Sequence, residues 1–199
     1  MRLGAGLVPV VLLAAACGSG GDGATPPTTV RREATTTVAP IDPTAVPDEV
    51  TPAYVEAVLA ELQRVNGEAL RLAVDQGVVG EDVSIRLRAI NTAEHLGTVV
   101  GFLVGDAAQG FPTTVRPPGR IQMTVTEVLA EADGCVAVRA SGDFSGVTVD
   151  GATDVPLVLE LVAKPGDVDP DRLNPTPWVL SRQLAADAPE NEDVVLCAG

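Results

Sequence analysis

The hydrophobic period changes once along this chain, and that change limits the folds open to it. From Tyr54 onward apolar residues recur at helical spacing: Tyr54, Val58, Leu62, Val65, Leu70 and Val74. From Ile121 onward they alternate, Ile121, Met123 and Val125 interleaving with Gln122, Thr124 and Thr126. Helices first and strands second imply an α+β layer, with two or three N-terminal helices packed on a curved four-stranded antiparallel sheet.

Local signals bound these elements. Thr51 is suited to cap a helix, Pro52 suits its first position, and Val50 with Val55 makes a hydrophobic staple. Gly77 is the expected stop, and Asn66-Gly67 is expected to bend or split the helix. A second helical stretch is expected over 82–104, with Ile85, Ala89, Leu96, Val99, Val100 and Leu103 facing a core, either unbroken or broken near His95–Gly97. Gly97, Gly101 and Gly105 recur on one stripe. Because each glycine weakens a helix by up to about 1 kcal/mol, the stripe suggests close backbone packing against another element.

A proline-containing loop is expected over 106–119. The strands follow. Asp133-Gly134 signals a hairpin between the Ile121 strand and a strand starting at Cys135. Gly142 and Gly146 suggest a bulge or bend in that second strand. Val155–Ala163 is apolar nearly throughout and is expected to be central, and Trp178–Ala185 is the fourth strand. This order is similar to the tail of the NTF2-like, cystatin-like cone. The resemblance implies a cavity between helices and sheet, while plain two-layer packing satisfies the same pattern.

The N-terminus bears on location. Arg2 precedes an apolar run, Leu3–Ala16, that is shorter than the ~20 residues a spanning helix needs. It ends Leu13-Ala14-Ala15-Ala16-Cys17-Gly18-Ser19, which resembles the lipobox of bacterial lipoproteins, although Ala14 stands where the usual box has Leu. The resemblance implies a signal peptide over 1–16 and acylation of Cys17. The protein would then be anchored by lipid to the extracytoplasmic face of the cell membrane. One lysine beside twelve arginines, with abundant Ala, Val and Gly, resembles proteins of GC-rich genomes such as those of actinobacteria. Residues 18–47 are rich in Thr, Pro and Gly and read as an extended tether, leaving 48–199 as a single globular domain.

Export makes the cysteine count informative. With Cys17 lipidated, Cys135 and Cys197 form an even pair in an oxidising compartment and are expected to join. Their separation is too long for a redox C-x-x-C pair, so the bond is read as structural.

Chemistry-bearing motifs are few. Lys plus Arg number 13 against 27 Asp plus Glu, a net charge of −14, which is the wrong sign for displacing counterions from nucleic acid. Asp167, Asp169 and Asp171 open like a calcium loop, but Arg172 and Trp178 occupy the places that need Gly and Glu, so no metal site is expected. Gly18–Gly23 matches G-x-G-x-x-G outside any strand–helix context, and no P-loop, G-x-S-x-G or H-E-x-x-H is present. No catalytic residue and no cofactor is assigned. Tyr54, His95 and Trp178 are the candidate pocket residues, with Trp178 in Asn174-Pro175-Thr176-Pro177-Trp178 alternatively a core plug or a surface aromatic for a partner. The expected role is a non-catalytic binding or accessory module of the cell envelope, serving an envelope protein or a small ligand. The alternative is a small-molecule-binding NTF2-like domain with minor enzymatic activity.

Overall fold

The computed structural model describes residues 41–198 except 167, 170, 171, 189, 190, 192 and 193. Cys17, the lipobox-like segment and most of the stretch expected to be a tether lie outside the described residues. Three helices, α1 (Pro52–Gln76), α2 (Glu81–Ile90) and α3 (Ala93–Ala108), precede four strands, β1 (Gln122–Ala132), β2 (Cys135–Asp143), β3 (Val155–Ala163) and β4 (Trp178–Ala185). The strands form one antiparallel sheet in the order β1-β2-β3-β4, open at both edges. The fold is α+β, and the apolar β3 is central, as its composition implies.

The ends of α1 form where their residues dictate. Thr51 Oγ1 accepts the Tyr54 N–H, Pro52 occupies the first turn, and Gly77 takes φ 66 at the C-cap, donating its N–H to Ala73 C=O. The helix does not break at Asn66-Gly67. Gly67 is there because a loop backbone lies against it: a Cβ would stand 2.9 Å from Gly119 O. Gly119 is pressed in turn against Gly146, to whose carbonyl it donates at 2.7 Å.

The stretch 82–104 is two helices, parted at Asn91–Thr92 and not at His95–Gly97. Asn91 Nδ2 donates to Leu87 C=O, closing α2, and Thr92 N–H donates to Leu180 C=O, tying the joint to β4. Thr92 then caps α3 by accepting the His95 N–H. The buried face of α2 is Val83, Leu87, Ala89 and Ile90; Ile85 is only half-buried. α3 runs on through 106–108, where a loop was expected. Among the described residues its glycine stripe packs on no other element: a Cβ at Gly97, Gly101 or Gly105 would meet nothing within 4 Å beyond the helix's own backbone. Among the described residues, close backbone approaches are made instead by Gly67, Gly119 and Gly146, and by Gly151 against Phe144.

In the sheet, β2 runs regularly to Asp143, so Gly142 is no bulge. The bulges lie in β1, between Val125 and Glu127 and between Val128 and Ala130. At the first, Val125 N–H donates to the Glu56 carboxylate on α1, which satisfies a donor next to the shifted ladder.

Two apolar clusters result. One joins α1 to the sheet through Val55, Val58, Leu59, Val138, Leu159 and Leu161. The other joins the C-terminal half of α1 to α2 through Ala69, Ala73, Val83 and Leu87, with Phe111. α3 has no fully buried residue; Leu96, Val99, Val100 and Leu103 rest against the second cluster as its half-buried edge. After α3, Gly110 at φ 75 and Phe111 at φ 55 turn the chain sharply and drop the Phe111 ring into the core. Both ends of α3 are thereby pinned while its middle is lightly packed. Among the described residues no helix is long and apolar enough to cross a membrane.

Candidate functional site

A cleft of about 320 Å³ opens at the seam between the two clusters. α1 supplies Leu59, Leu62 and Leu70, and α3 supplies Val99 and Leu103 opposite them. Leu180 of β4 forms part of its wall, with Phe144 and Val147 from the segment after β2. Helical spacing explains both helix walls. Leu59, Leu62 and Leu70 follow one stripe of α1, as Val99 and Leu103 do on α3. Phe102, 76% exposed, borders the cleft and faces water. An exposed phenyl ring at the edge of an apolar cleft is available surface for a guest. The volume lies at the lower end of the range for small-molecule sites and corresponds to about ten water-sized groups.

His95 lines this cleft from the first turn of α3. Burial holds its imidazole below the ordinary histidine value of 6.5, so the ring is neutral at pH 7. Asp106, near the other end of α3, also lines the cleft. Sequence reasoning had placed it in a loop. The lining includes neither Lys nor Arg.

Tyr54 and Trp178 are elsewhere. They are 3% and 5% exposed, and the Trp178 Nε1–H donates to Tyr54 Oη at 2.9 Å, so each indole and phenol polar atom is satisfied inside the core. The structure does not bring them together with His95, and Trp178 is a core plug, not a surface aromatic. The string before it is a buried hydrogen-bond hub. Asn174 Nδ2 donates to Ala89 C=O and Trp178 C=O, while its Oδ1 accepts from Thr176 N–H and Oγ1–H. Lys164 Nζ donates to Asn174 C=O and pairs with Asp169 at 3.2 Å. The hub fastens the end of α2 to the start of β4, the strand that carries Leu180 of the cleft wall. Asp169 therefore serves the hub, and Asp167 and Asp171 lie outside the described residues.

Cys135 and Cys197 are bonded to each other across a separation of 62 residues, as the cysteine arithmetic implies. The Glu160 carboxylate lies beside the bond and accepts the Cys197 N–H at 2.9 Å. Two thiols, a carboxylate and close spacing would suit a metal, but the sulfurs are spent in the disulfide and offer no thiolate. Asp143 is the last residue of β2, where hydrogen bonding from the Ser145 hydroxyl and N–H lowers its pKa; it does not line the cleft.

The chain matches no family model, no curated protein and no solved structure.

Proposed function

We propose that this chain is a lipid-anchored, extracytoplasmic binding module whose domain holds a small, mainly apolar molecule in the cleft between α1, α3 and the sheet. The anchor rests on the lipobox-like segment ending at Cys17. Binding rests on one observation, the 320 Å³ cleft with apolar walls that open to water beside Phe102. The two titratable groups in it favour holding over transforming. His95 and Asp106 stand three helical turns apart on α3, about 16 Å along the axis, far beyond the ~3 Å reach of a shared proton transfer.

The test is a titration of the full chain with decanol, followed by calorimetry. Wild type is expected to bind one equivalent. Val99→Trp fills the cleft from α3 and is expected to weaken binding at least tenfold while leaving circular dichroism unchanged. No binding by wild type, or equal binding by Val99→Trp, overturns the reading.

A further inference from the structure

The charges around the cleft specify its guest further, and this inference rests on the binding reading above. Besides the uncharged amides of Gln63, Asn66, Asn91 and Gln183, the lining holds one carboxylate, Asp106, one neutral imidazole, His95, and no basic side chain. Both residues stand on the cleft side of α3, separated by three turns. Val99 and Leu103 lie between them, so the apolar wall has a polar group at each end. The hydrogen bonds at these two residues run through their backbones: His95 N–H donates to Thr92 Oγ1, and Asp106 C=O accepts from Gln109 N–H and Phe111 N–H. Among the described residues neither side chain has a side-chain partner.

The two ends differ. The His95 end abuts β4 through the Thr92-to-Leu180 hydrogen bond. The Asp106 end is joined to Thr114 through backbone bonds at Phe111, Thr114 pairs with Thr148, and both threonines also line the cleft. No basic side chain lines the cleft; Arg116, whose guanidinium donates to Gly110 C=O beyond the end of α3, is outside the lining. A carboxylate at the edge of such an apolar wall repels an anionic guest and attracts a cationic one, more strongly than it would in open water.

We propose that the ligand is an elongated amphiphile with a protonated amine at one end. Its apolar body lies along Val99 and Leu103, and its ammonium group donates to Asp106. Fatty carboxylates are the excluded class.

Three ten-carbon probes that differ only in their heads test this: decylammonium, decanol and decanoate. Each is titrated into the full chain, wild type and Asp106→Asn, at about 0.15 M salt, where long-range attraction between exposed charges is largely screened. The screening and the variant both matter because a chain of net charge −14 draws any cation to its surface. Decylammonium is expected to bind wild type at least tenfold tighter than decanoate. Asp106→Asn is expected to remove that preference while decanol affinity stays within about twofold. Equal or tighter binding of decanoate, or a preference that survives Asp106→Asn, overturns the assignment of the head group. If decanol binds and the head makes no difference, only this inference falls. If none of the three binds, the binding reading falls with it.

Discussion

The same change, glycine to alanine inside a helix, is expected to have opposite signs at two places in this protein. On α3, a Cβ at Gly97, Gly101 or Gly105 meets nothing of the other described elements within 4 Å. Only the backbone term remains there, a gain of up to about 1 kcal/mol per site. The triple variant is therefore expected to stabilise by about 2–3 kcal/mol, which for a domain of this size raises Tm by roughly 5–10 °C. Because α3 buries no residue completely, part of the gain will appear as slower amide exchange within α3. At Gly67 the same Cβ would stand 2.9 Å from Gly119 O and 3.3 Å from Arg120 Cγ, and Gly119 is itself backed by the Gly146 backbone. Backbone against backbone has little room to yield. Overpacking costs about 1–3 kcal/mol, which outweighs the propensity gain. Gly67→Ala is thus expected to destabilise by up to about 2 kcal/mol. Urea unfolding followed by circular dichroism, with hydrogen exchange on α3, reads both. A stabilising Gly67→Ala would refute the close-approach argument, and a destabilising triple variant would mean that the α3 stripe is packed against something.

Three further outcomes are expected. Cys135→Ser and Cys197→Ser each open a closure of 62 residues, worth about 4 kcal/mol in the chain-entropy treatment; the two should melt alike, and an unchanged Tm in either would contradict the bond. Asn174→Ala leaves the Ala89 carbonyl and the Thr176 N–H without their partner in the core, for a loss of about 3 kcal/mol; a loss below about 1 kcal/mol would show that the hub is not needed. His95 favours its neutral form in the fold. Below pH 6.5 the unfolded chain therefore takes up a proton that the folded chain resists, and this part of the stability is complete above pH 6.5 and lost as pH falls through the folded value. NMR titration of the sole imidazole should give a midpoint below 6.5, and His95→Gln should remove that part of the acid sensitivity; a midpoint at or above 6.5 would contradict the burial argument.

What was legible in the sequence was local. Thr51, Pro52 and Gly77 mark α1, Asp133-Gly134 marks the hairpin, and the bounds of β3 and β4 follow from their apolar runs and the prolines before Trp178. What was not legible depended on distant partners. The break at Asn91 comes from a side chain bonding back to Leu87 and from a joint to Leu180 on β4, and neither has a mark in the local pattern. The glycine stripe of α3 and Gly67 look alike in sequence and differ only in what stands opposite. The β1 bulges carry no glycine, and the first is supported from across the core by Glu56. The cleft is drawn from both long helices, β4 and two loops, so no window of the chain contains it. His95 stood out only by being the sole histidine, and Asp106 became visible only once α3 was seen to extend past it.

The most direct test of the cleft as a ligand site is a ¹H–¹⁵N shift map of the chain titrated with decanol. Saturable shifts are expected to concentrate on cleft-lining residues such as Val99, Leu103, Val147 and Leu180. Shifts centred instead on the depression of about 460 Å³ beside Val46 and Trp178, or no saturable shifts at all, would contradict that expectation.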